Sequence, residues 1–169
     1  MKTAGIILAV AVAQALQTTL ARFVAGGTIA VDLVLVVVVY VALTSGPATG
    51  LLTGTFAGLV QDALSSNVIG IGGLAKTIVG FLAGILGTQF IVAASLPRFV
   101  VFVGATVVHA VVFMGLYVLL DLRHFGAPYA AVTGQAVGNA VVGVVAFQVV
   151  EMLPGAVERR RSQRTRLRR

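Results

Sequence analysis

About six apolar stretches, each broken from the next by a short turn, fill nearly the whole of this chain before an arginine-rich end. A helix needs roughly 20 apolar residues to cross about 30 Å of hydrocarbon. Charged residues make up only 10% of the sequence, against about 25% in a soluble domain, and the mean hydropathy is +1.06. The bilayer is therefore the solvent in which this chain folds.

The apolar runs and their breakers place spans near 3–21, 29–44, 48–64, 74–93, 98–120 and 129–153. The breaks fall at Gly26-Gly27, Ser45-Gly46-Pro47, Ser65-Ser66-Asn67, Pro97, and from Arg123 to Pro128, all turn-forming chemistry. Single segments in lipid must satisfy their own backbone hydrogen bonds, which leaves the helix. No period-2 alternation marks barrel strands. The expected fold is an all-α integral membrane bundle of six helices over 1–156, with a basic cytoplasmic tail over 157–169. Cysteine is absent, which removes disulfides and thiolate chemistry. With no tryptophan, Tyr40, Tyr117, Tyr129 and the arginines are left as interfacial anchors.

Lysine and arginine counts set the orientation. The inner side is expected to hold both termini, with Lys2, Arg98 and the seven arginines of the tail; the outer side holds Arg22 and Arg123. A rival is a cleaved signal peptide, suggested by Lys2, the run IILAVAVAQA and small residues at Ala13 and Ala15. The apolar run continues past that point, which favours a retained first span.

Gly46, Gly50, Gly54 and Gly58 recur every four residues and so share one face of the third span. Small residues at this spacing let helix backbones approach closely. Gly80 with Gly84, and Gly134 with Gly138, repeat it. The plainer reading is packing within the bundle. The functional one is a docking face for another protein's helix, on which Gly54→Leu or Gly58→Leu breaks assembly and leaves insertion intact.

Ionisable groups at membrane depth are costly and are functional candidates by default. Asp32, near the outer end of the second span, suits a helix N-terminus. Asp62 and Lys76 flank the apolar, glycine- and serine-rich connection at 63–73, where they are expected to meet as a buried ion pair. Gln14, Gln17, His109, Gln135 and Asn139 lie deeper. They either line a polar cavity or act as interhelical hydrogen bonds, each worth about 1 kcal/mol; the second is the commoner use. His109 has no acidic neighbour at helical spacing, which argues against a proton relay.

Arg159, Arg160, Arg161, Arg164, Arg166, Arg168 and Arg169 supply seven charges, the whole of the +7 net charge. Beside anionic headgroups each basic residue contributes about 1 kcal/mol, so contact with anionic lipid is expected, or with an acidic filament, and not with nucleic acid. GIGG at 70–73 lacks the Lys-Ser or Lys-Thr ending of a phosphate-binding loop. No paired acids, nucleophile triad or metal-ligand cluster is present. No enzyme, cofactor or metal site is expected.

The segment DLVLVVVVYVAL at 32–43, then Gly58 with Asp62 four residues on, Ser65 and Gly70, resembles the bacterial rod shape-determining protein MreD family. The specific likeness covers roughly 31–87; elsewhere it rests on span count, loop length and the basic end. Ser66 stands where the family usually has glycine, and Val31 where proline often precedes the second span. The resemblance implies a fold like the substrate-binding components of energy-coupling-factor transporters. It also implies a non-enzymatic scaffold of the elongation machinery in the bacterial cytoplasmic membrane. Its partners would be MreC and, beyond it, MreB filaments and the glycosyltransferase RodA with its transpeptidase partner. Asp32, Gly58, Asp62 and Gly70 are the motif positions carried over. The rival is a substrate-binding membrane component of a vitamin-type transporter, which needs polar groups converging on a cavity. Aromatic residues are only 7% of the chain, too few to favour a ring-stacking pocket.

Overall fold

The computed structural model describes residues 3–23, 31–65, 68–89, 94–122, 125–126 and 128–166, without the side chains at 21–23 and 153–166. Its elements are α1 (Thr3–Phe23), α2 (Leu33–Ser45), α3 (Pro47–Leu64), α4 (Ile71–Gln89), α5 (Ser95–Leu119) and α6 (Tyr129–Arg166). Among the described residues there is no strand, and each of the six expected segments contains a helix. The apolar part of α6 ends near Met152, yet the helix runs on to Arg166.

The main difference from expectation is α2. It begins at Leu33, because Asp32 is extended and caps the helix. Its 13 residues make about 20 Å at 1.5 Å per residue, too short to cross alone. α1, α4, α5 and α6 are long and apolar enough to do so, whereas α3 dilutes its 18 residues with Thr, Gln and Asp. The sequence of α2, LVLVVVVYVALTS, is apolar on every side, and such a helix belongs in the interior of a bundle. It is the one helix that touches all five others among the described residues. One of its faces packs Val34 and Val38 against Val10 and Ala13 of α1 and Ala57 of α3. Another packs Leu35, Val36, Val39 and Ala42 against Val79, Ala83, Phe102, Ala140 and Phe147.

Gly46 turns the chain from α2 into α3 with φ +87°, a conformation open to glycine, and Pro47 follows at the first helical position. α3 and α4 then run antiparallel with their backbones in contact. A Cβ on Gly50 would overlap the carbonyl oxygen of Gly80, and one on Gly80 that of Gly50. A Cβ on Gly54 would overlap Lys76 O, and one on Gly58 would stand 2.6 Å from Gly73 Cα. Gly84 closes on Pro47 in the same way. A hydroxyl pair, Thr55 to Thr77 at 2.8 Å, crosses the same interface.

This changes the reading of the glycine ladder. Gly50, Gly54 and Gly58 are covered by α4 and offer no face to another protein, and Gly46 serves the turn. The repeat in α6 has a different character, since a side chain at Gly134 would meet open space. At the opposite end from the α3–α4 corner, Arg98 holds Glu151 through both carboxylate oxygens, the longer contact being 3.0 Å. Its guanidinium lies 4.4 Å above the Phe147 ring.

Gly54→Val should therefore lower thermal stability in detergent severely, beyond the usual 1–3 kcal/mol or so for overpacking, because backbone must move. Gly134→Val should melt within a few degrees of the unaltered protein. Equal melting of the two variants would contradict the α3–α4 register.

Candidate functional site

The buried start of α2 creates a local problem. The first turn of a helix has N–H groups with no partner inside the helix, and at membrane depth water cannot supply one. Its own cap residue and side chains from two other helices meet there. Asp32 Oδ1 accepts from Leu35 N at 2.9 Å. Asn139 Oδ1, from α6, accepts from Asp32 N at 2.7 Å. Gln17 of α1 accepts from Leu33 N at 2.9 Å and donates to Val31 O at 3.0 Å, closing both sides of the entry.

The remaining oxygen of Asp32 takes the charge. Lys76 Nζ, from α4, stands 2.9 Å from Asp32 Oδ2, with both side chains almost wholly buried. The same ammonium lies 3.1 Å from His109 Nε2 on α5. Lysine has only donors, so Nε2 is the acceptor and the imidazole proton sits on Nδ1. Asn139 Nδ2 donates to Thr106 Oγ1 at 3.0 Å, one turn along α5. His109 also stacks on Phe113, centroids 5.7 Å apart. The result is a continuous polar chain joining α1, α2, α4, α5 and α6.

Asp62 does something different from what its sequence position suggests. Its Oδ2 accepts from Gly70 N at 2.9 Å and Gly73 N at 3.1 Å. It caps α4 from the neighbouring helix, and its carboxylate also favours that helix's positive end. The expected Asp62–Lys76 ion pair is not formed; Lys76 turns inward to Asp32. The reason is geometric, since the carboxylate is already occupied by the corner backbone. The family motif now has a mechanical explanation. Gly58 brings α4 into contact, Asp62 one turn later reaches its N-terminus, and Gly70 adopts φ +108°. Gly72 leaves room, because a Cβ there would overlap Asp62 Oδ1.

The polar cavity does not form as expected. Gln17, His109 and Asn139 join the Asp32 cluster. Gln14 instead lies beside α3, its Nε2 3.5 Å from Ala57 O, and Gln135 stays half-buried one turn from Asn139, outside the cluster. The sequence reading missed Thr106, Glu151 and Phe147 as polar and aromatic partners. Only the contrast of Arg98 at one span's start with Glu151 at another's end hinted at them. The side chains of Arg159, Arg160, Arg161, Arg164 and Arg166 lie outside the described residues, as do Arg168 and Arg169 entirely. The cluster holds one carboxylate, one ammonium, one imidazole and neutral amides, all partnered, so its chemistry is cohesion. Among the described residues no group of three acidic, His or Cys side chains could hold a metal.

Lys76→Met should strand the Asp32 carboxylate and cost about 3–5 kcal/mol, as removing one partner of a buried pair does. The double variant Asp32→Asn with Lys76→Met should recover more than half of that in unfolding experiments in detergent. Losses that simply add would show the two are uncoupled. Asp62→Ala should speed amide hydrogen exchange at Gly70 and Gly73 while leaving that of α5 unchanged.

Compared with known families, residues 2–153 match the family model of the rod shape-determining protein MreD. No curated protein and no solved structure matches the chain.

Proposed function

Because this chain belongs to the MreD family, a membrane-protein family with a role in rod shape determination alongside MreC, we propose that it is a rigid scaffold of the elongation machinery. In this reading it binds MreC and helps to position the enzymes of peptidoglycan synthesis, with RodA and its transpeptidase partner and MreB filaments in the same assembly. The family is a structural component of shape determination, and the mechanism is assembly without a reaction.

The observation that carries this reading is the pairing of the deep polar groups. Asp32, Lys76, His109, Asn139 and Gln17 satisfy one another and the head of α2. A solute-binding component needs such groups to point into a shared space, where they stay unsatisfied until a ligand arrives. Here the same groups fix the mutual placement of five helices, which is what a platform for partners requires. With α4 covering Gly50, Gly54 and Gly58, partner contact falls to the lipid-facing sides of the bundle. In this reading both termini lie in the cytoplasm, on the side of Arg98 and the basic tail, whose arginines would rest on anionic lipid or touch a filament.

Affinity purification of the tagged chain from mild detergent, read by mass spectrometry, tests this. A single-span partner recovered with wall-synthesis enzymes is the expected result. Recovery of an ATPase pair with a coupling subunit would overturn the scaffold and make the chain a transporter component.

A further inference from the structure

α6 outlasts the membrane. Its apolar stretch, Tyr129–Met152, has 24 residues, about 36 Å at 1.5 Å per residue and enough for a hydrocarbon core of about 30 Å. The helix nonetheless continues to Arg166. Its last membrane turn is fixed. Arg98 of α5 holds both carboxylate oxygens of Glu151, and its guanidinium lies over Phe147 one turn back. The Glu151 side chain is 57% exposed at the end of the apolar stretch, so the pair marks the level where the bundle meets the headgroups.

Just beyond Glu151 the sequence reads Pro154-Gly155. Proline inside a helix removes the bond to the carbonyl one turn back, here that of Val150, and crowds it. Sharp helix bends concentrate at such residues, and glycine is the other poor helix former. A fixed turn is thus followed at once by the weakest point of the helix. Beyond it lies a dense charge, since residues 157–169 carry seven arginines against Glu158. At about 100° per residue the arginines at 159, 160, 161, 164 and 166 fall on all sides. No apolar face accompanies them to sink the helix among acyl chains. A helix running straight on from Met152 would carry Arg159 about 10 Å and Arg166 about 21 Å further out. Charge is screened over about 8 Å at physiological salt, so the outer arginines of an upright helix gain little from the membrane. Bent at Pro154, the same helix brings the whole charged run to the headgroups.

We propose that α6 beyond Pro154 is a hinged arm that folds onto anionic lipid headgroups beside the bundle, pivoting at Pro154-Gly155 against the Arg98–Glu151 clamp. Complementary charge selects the surface. Each basic residue gains about 1 kcal/mol beside anionic headgroups, and neutral headgroups offer no such gain. Surface charge thereby sets whether the arm lies down. This inference rests on the lipid contact of the tail in the scaffold reading, and chooses it over an acidic filament. Partner recovery by affinity purification is a separate outcome, so either can fail without the other.

The chain has no cysteine, so Ser162→Cys gives a single attachment point for a fluorophore on the arm. The full chain goes into nanodiscs of phosphatidylglycerol or of phosphatidylcholine, each doped with a headgroup-nitroxide lipid that quenches only near contact. Quenching should be about threefold higher in the phosphatidylglycerol discs, since only those headgroups attract the arginines. It should fall to the phosphatidylcholine level in about 1 M salt, where screening shortens to about 3 Å. Pro154→Ala with Gly155→Ala, which stiffens the helix outside the apolar stretch, should lose at least half of the quenching in phosphatidylglycerol. Equal quenching in the two kinds of disc would overturn the lipid contact, and is the result expected of an arm that meets an acidic filament. Undiminished quenching in the stiffened variant would overturn the hinge.

Discussion

A backbone N–H that cannot reach water must find an acceptor inside the protein, and the placement of α2 follows from that demand. The helix is too short to bring its N-terminus to the membrane surface. Its first turn is therefore buried, and Asp32, Gln17 and Asn139 occupy its donors. Capping by Asp32 then puts a carboxylate in the interior, where a lone charge is prohibitive, and Lys76 answers it. Lysine in turn brings His109 into contact. Each polar residue in the interior is present because the previous one needs it.

The same requirement recurs at α4, solved by other means. Its N-terminus is capped by Asp62 from the adjacent helix, which works only because glycines let the two backbones touch. Helices in lipid gain no hydrophobic free energy from meeting one another. Close packing and buried polar contacts replace it, and the α3–α4 pair with the Asp32 cluster supplies one of each. α1, held to α2 by Gln17 and a small apolar contact, is left at the margin, and a groove remains between it and α3.

These features suit a protein whose role is to stay in one shape. On the proposed scaffold reading, the buried Asp32–Lys76 pair and its hydrogen bonds would lock the helices and leave the lipid-facing sides to partners.

The sequence alone determined that this is a helical membrane bundle, because nothing but a helix satisfies a backbone in hydrocarbon and the apolar runs have the right length. It also revealed the family, through spacing of Gly58, Asp62 and Gly70, and that the glycines of α3 share one face, though not what covers that face. It did not reveal who meets whom. The spacing of Asp62 and Lys76 suggested a pair, but Lys76 chose an aspartate 44 positions earlier, because α2 crosses the centre of the bundle and places Asp32 beside α4. His109 lacked an acidic neighbour along its own helix and found charge across the bundle instead. Partnerships of this kind depend on helix rotation and crossing, which arise from packing all six helices at once, and only the tertiary structure decided them.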